Sequence, residues 1–124
     1  MALPANSADL ETSYTTQNKT DVETNNGVRV EQTATSQYAI HQFKDYCAGS
    51  SATFTWEGQT NMPPVLSTVY LQIYNINTTT WVTIDSDNSS NEDTDFTLTA
   101  NVADLTNYKD GNGMVTCRVY QLDI

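Results

Sequence analysis

The sequence predicts an all-β protein: an antiparallel β-sandwich of the immunoglobulin-like or jelly-roll kind, preceded by an extended N-terminal arm. Three observations carry this expectation. No segment long enough for a globular helix keeps a 3.6-residue apolar period. Short runs instead alternate apolar and polar side chains, recurring at spacings of roughly ten residues. Between the runs stand clusters of Asn, Asp, Gly and Pro, the residues that turns require. About seven or eight strands result, without helices between them.

Residues 1–20 have neither period, carry Pro4 and are rich in small polar side chains, so they are expected to form an arm; residues 21–124 are expected to form the sandwich domain. In the latter, Val22 and Thr24 precede Asn26-Gly27, and Val28 and Val30 follow it. Asn-Gly tolerates the positive φ of a type I′ turn, so a hairpin is expected there. Residues 33–43 alternate weakly through Tyr38, Ile40 and Gln42, predicting a strand, with residues 44–50 as a connection. In SATFTWEG, Ala52, Phe54 and Trp56 share one face and Thr53, Thr55 and Glu57 the other.

Pro63-Pro64 closes a loop, since neither residue can donate to a ladder. Val69, Leu71 and Ile73 then alternate with Tyr70, Gln72 and Tyr74. Residues 75–80 supply a turn and residues 81–85 the return strand, which makes a second hairpin. Phe96, Leu98, Ala100 and Val102 mark the inner face of another strand. A long turn follows, pinned by Leu105 and Tyr108 and given backbone freedom by Gly111 and Gly113. In the closing strand Val115, Cys117 and Val119 face one way, and Thr116, Arg118 and Tyr120 the other.

Composition excludes several classes of function. Five Lys and Arg against 15 Asp and Glu give a net charge of −10, which repels nucleic acid and anionic lipid. No apolar run approaches the roughly 20 residues of a membrane-spanning helix, so no membrane partner is expected. The first basic residue is Lys19, and no basic segment followed by an apolar run opens the chain, so no export signal is read. Cys47 and Cys117 fit either an inter-sheet disulfide or two thiols acting as small apolar side chains.

Residues able to carry chemistry are few. The stretch DSDNSSNEDTD holds Asp85, Asp87, Glu92, Asp93 and Asp95, and alternate carboxylates can converge on calcium. Against an EF-hand loop, however, Ser90 stands where glycine is needed and Phe96 where the bidentate glutamate belongs. Asp85, Asp87, Asp93 and Asp95 are thus a candidate calcium set, the competing reading being a solvated, self-repelling hairpin tip; no other cofactor is expected.

His41 is the sole histidine, which leaves no multi-histidine metal site, and it reads as a partly exposed strand residue. Glu57, the one acid beside an aromatic in a strand, is sent to the opposite face from Trp56, so no carboxylate pair in an apolar pocket is expected and no catalytic residue is assigned. Tyr70, Tyr74, Trp81 and Tyr120 form a candidate ligand platform, because flat aromatic faces flanked by amides and carboxylates suit sugars; alternatively Trp81 and one face of the Tyr70–Tyr74 strand fill the core. Sequons at Asn18, Asn77 and Asn88 carry weight only along an export route.

The succession VYLQIYNINTTTWVTIDSD, then DFTLTANVADLTNYKDGNGMVTCRVYQLD, covering roughly residues 68–123, resembles a β-sandwich pattern of tailed-bacteriophage virion structural proteins and some prokaryotic surface proteins. Its parts are a strand ending in Tyr-Asn, a Trp-bearing return strand, a Leu-x-x-Tyr-x-Asp-Gly turn and a closing Arg-Val strand. Trp81, Tyr108, Asp110, Gly111 and Arg118 match it as structural positions, and no catalytic set comes with them. The resemblance implies a head decoration or tail-associated protein that assembles in the host cytoplasm without export and binds a lattice of capsid or tail subunits, its own copies included. The arm would order against a neighbour. Two other settings fit the residues: a carbohydrate-binding module of a secreted or surface protein, with a glycan as ligand, and a subunit of an extracellular filament.

Overall fold

A computed structural model describes residues 15–17, 31 and 38–122, and these build six strands in two antiparallel sheets. They are β1 (Tyr38–Tyr46), β2 (Ala52–Gly58), β3 (Val69–Asn75), β4 (Thr80–Asp87), β5 (Phe96–Val102) and β6 (Met114–Leu122). One sheet has the order β1-β6-β3-β4; the other is β2-β5. The chain thus crosses between sheets at every connection except the β3–β4 turn. Of the expected extended arm only residues 15–17 are described, and residues 16 and 17 are helical; the expected hairpin at Asn26-Gly27 lies outside the described residues.

Alternation decides which side of each strand is buried. Val69, Leu71 and Ile73 of β3 and Val115, Cys117 and Val119 of β6 meet Phe54 of β2 and Phe96 and Leu98 of β5 in one core. β3 lies between β6 and β4, so its inner residues are covered from every side, Leu71 and Ile73 completely. Burying each such side chain contributes about 1.5–3 kcal/mol. The alternation read in β2 and β5 is the alternation observed, whereas in β3 and β6 the inner rows are as read but Gln72, Tyr74 and Thr116 of the other face are buried as well.

β1 departs from the expected bounds. It continues through Lys44, Asp45 and Tyr46, which pair with Thr116, Val115 and Met114 of β6, where a connection was expected. Main-chain hydrogen bonds hold these three positions, and they ask nothing of the side chains. Among the described side chains of β1, Phe43 packs on the core.

β4 is likewise longer than the predicted 81–85, and it carries a bulge: Leu71 pairs with Asp85 but Gln72 with Thr83, leaving Ile84 as the extra residue. At the bulge the Asp85 carboxylate reaches the other sheet and accepts the Thr99 amide at 2.8 Å. Gln121 secures the β2–β3 crossing by donating to the carbonyls of Met62 (2.8 Å) and Ser67 (2.9 Å).

In the last crossing Leu105 is fully buried and Tyr108 packs on the core. The Asp110 carboxylate accepts the amides of Asn112 (2.8 Å) and Met114 (3.0 Å), and those bonds, helped by Lys44, hold it below the usual carboxylate range. Of the two glycines assigned backbone freedom there, only Gly113 has a positive φ, +78°.

The inter-sheet disulfide is not formed: both cysteines are free. Cys117 lies opposite Phe43, four ladder positions from the end of β1 where Cys47 sits, about 13 Å along the strand and beyond bridging reach. Burial pushes both thiols up, and Asp45 adds to the effect, which favours their protonated form.

Candidate functional site

The second face of the four-stranded sheet gathers the predicted platform. Pairing sets Tyr70 opposite Tyr120, Gln72 between Arg118 and Thr83, and Tyr74 opposite Trp81. All four aromatics named from the sequence therefore share one surface, and Trp81 belongs to it rather than to the core. Tyr70 and Tyr120 stack with centroids 5.0 Å apart and planes at 23°, while Tyr74 meets Trp81 edge-on at 5.1 Å.

Arg118 organises the surface. Its guanidinium lies 4.2 Å from the centroid of Trp81 and 5.0 Å from that of Tyr120. Its Nε donates to Gln72 Oε1 at 2.9 Å, and Gln72 Nε2 donates to Thr83 Oγ1 at 2.9 Å, a relay straight across three strands. The planar fork is thereby fixed between two rings, an arrangement lysine cannot reproduce. Gln72 and Tyr74 are buried, at 8% and 3% exposure, and Trp81, Tyr70 and Tyr120 are half-buried. Next to Arg118 on β6, the Thr116 hydroxyl is buried without a hydrogen-bond partner.

One face of Trp81 is taken by Arg118, Tyr70 and Tyr120 cover one face of each other, and Tyr74 is buried, which narrows the ring surface open to a pyranose. Tyr, Trp and Arg held rigid over a satisfied amide network are what dominates binding energy between proteins. Sequence reasoning found the four rings but missed Arg118 and Gln72 as their link. Both already stood in the outward rows of their strands; the missing signal was the register that sets them opposite one another.

The other candidates are dispersed. Among the described residues no three His, Cys, Asp or Glu side chains converge as a metal site. Asp85 is engaged with Thr99 and with the Ser86 amide at 2.8 Å. Burial pushes the Asp87 carboxyl up, but hydrogen bonds from Ser90 and Ser89 outweigh it and hold the group below its ordinary range. Asp93 adopts a left-handed φ of +52° in the following turn, its amide bound to Thr60 O at 2.8 Å.

His41 is half-buried, its ring 5.8 Å from that of Trp56, and burial lowers its pKa to about 4. Glu57 is exposed on the outer face of β2.

Comparison with protein-family models, with characterised proteins and with solved structures finds no match to this chain.

Proposed function

We propose that this chain is a non-enzymatic structural protein: a virion subunit, decorating the head or associated with the tail, that binds a lattice of other protein subunits. The contact is made by the Arg118 face of the four-stranded sheet together with the N-terminal arm. The observation that carries the reading is the Arg118–Gln72–Thr83 relay framed by four aromatic rings, a preorganised surface suited to recognition. The resemblance of residues 68–123 supplies the virion setting, and the absence of a basic surplus, at a net charge of −10, directs the contact to protein rather than nucleic acid.

The experiment is incorporation into particles assembled without the chain. Deleting residues 1–20 should abolish incorporation while the thermal transition of the sandwich persists; undiminished incorporation contradicts the arm's role. A glycan-binding module is the second reading, favoured by the gathering of Tyr70, Tyr74, Trp81 and Tyr120 on one face. Glycan-array binding that is lost in Tyr70→Ala would support it and displace the first.

A further inference from the structure

Among the described residues the β2–β5 sheet has only two strands, too few to be stable alone, and no strand pairs with the outer edge of β2. One contact in β2 and two in the residues flanking it agree on which main-chain groups turn inward. Ala52 O accepts from the Asn101 side chain, and outside the strand Ser50 O accepts from Leu105 and Thr60 O from Asp93, so the even-numbered positions turn their main chain toward β5 and its flanking loops. The Thr99 amide points away from β2, to Asp85, which makes Thr55↔Thr99 a pair without mutual main-chain hydrogen bonds. The peptide groups of Thr53, Thr55 and Glu57 consequently face outward, and among the described residues no strand pairs with them. All three side chains are exposed.

The other edges carry devices that resist pairing. β5 gives the Thr99 amide of its far edge to Asp85, β4 is interrupted by its bulge at Ile84, and β1 carries Lys44 and Asp45 just before its last residue. β2, reading ATFTWEG, has no proline, lysine or bulge. Its middle is also self-complementary. Turned antiparallel about Thr55, a second copy sets Thr55 against Thr55, Thr53 against Glu57 and Phe54 against Trp56.

We propose that β2 pairs with β2 of a second copy in this register, across a twofold axis at Thr55, joining the two small sheets into one of four strands. Outward peptide groups at Thr53, Thr55 and Glu57 exchange about six main-chain hydrogen bonds. On the outer face the Thr55–Thr99 hydroxyl contact, 3.0 Å within one copy, extends into a row of four threonines. On the inner face the second copy's Phe54 arrives beside Trp56, which is half-buried at the rim and packs on Phe96 at 5.5 Å. Charge fits as well: Glu57 is the one charged residue of the strand, it meets a neutral threonine, and the two Glu57 positions lie about 13 Å apart, beyond the Debye length at physiological salt. The pairing does not depend on the role assigned to Arg118.

Sedimentation velocity of the full chain tests it, with a dimer expected that salt strengthens, since salt screens the repulsion between copies of charge −10. Thr55→Lys should weaken association at least tenfold with an unchanged circular dichroism spectrum. Mild oxidation should crosslink Thr55→Cys, whose paired Cα atoms would stand about 5.5 Å apart. Thr53→Cys alone should not crosslink, whereas Thr53→Cys mixed with Glu57→Cys should, each compared with the unmodified protein because Cys47 and Cys117 are free thiols. A monomer up to millimolar concentration overturns the proposal. So does a dimer that survives Thr55→Lys, or one in which Thr55→Cys fails to crosslink; either result places the interface, or the strand that fills this edge, elsewhere.

Discussion

Arg118 does two jobs with one side chain, packing flat between Trp81 and Tyr120 while donating to Gln72. Arg118→Ala should lower stability by about 1–2 kcal/mol, measured by urea denaturation, because it removes the cation–π contacts and leaves buried Gln72 short of a donor. Arg118→Lys should recover little, since an ammonium cannot span both partners; full recovery would reduce the role to bare charge. Glycine separates in the same way. At Gly113, with φ of +78°, a Cβ would lie 2.8 Å from the Tyr46 ring, whereas at Gly111 it would meet nothing. Gly113→Ala should therefore cost about 1 kcal/mol or more and Gly111→Ala under about 0.5 kcal/mol, read from paired thermal melts. From sequence both were simply turn glycines, since φ depends on how the Asp110 carboxylate folds the turn around itself.

His41 gives the residue scale a pH dependence. Its folded-state pKa is depressed to about 4 by burial, so between pH 6.5 and about 4 the unfolded chain takes up a proton that the native state refuses. The stability tied to neutral His41 is complete above the unfolded value and lost as pH falls toward the folded one. At most that amounts to ~3 kcal/mol, less what its partial exposure screens. His41→Gln should flatten the loss of stability between pH 6.5 and 4.5; an unaltered profile would assign that slope to other groups.

Among the elements, β4 and β5 are joined across the sheet gap by one carboxylate. Asp85→Ala leaves the Thr99 amide without its acceptor and should cost about 1–3 kcal/mol, with Asp85→Asn intermediate because an amide oxygen still accepts; equal stability of all three would show the link to be incidental. The same acid was read from sequence as a calcium candidate, and the bulge at Ile84 explains the difference, since it turns Asp85 inward to a backbone partner. Period-two alternation made the inner faces of β2, β3, β5 and β6 legible because a slip of one residue would expose Phe54, Leu71, Leu98 or Cys117. It was silent on neighbours: an inward row says which face is covered but not that β6 lies between β1 and β3. It also understated β1, whose last residues are polar and held by main-chain bonds.

At the scale of the molecule, two unlike surfaces flank one core. The larger sheet turns out an arginine-centred aromatic face and the smaller a threonine row ending at an edge with which no strand pairs among the described residues. The second is built of hydroxyls and peptide groups, so contacts made through it should be insensitive to salt or strengthened by it in a chain of net charge −10. The rings were legible individually; their union needed the β6–β3–β4 register, which no local pattern encodes. The most direct measurement is binding of the purified chain to particles assembled without it, quantified after co-sedimentation for the unmodified protein and for Arg118→Ala. Saturable, stoichiometric binding that weakens at least tenfold in the variant, with both proteins folded at the assay temperature, is the predicted result. Equal incorporation of the two proteins, or no particle binding by either, would contradict it.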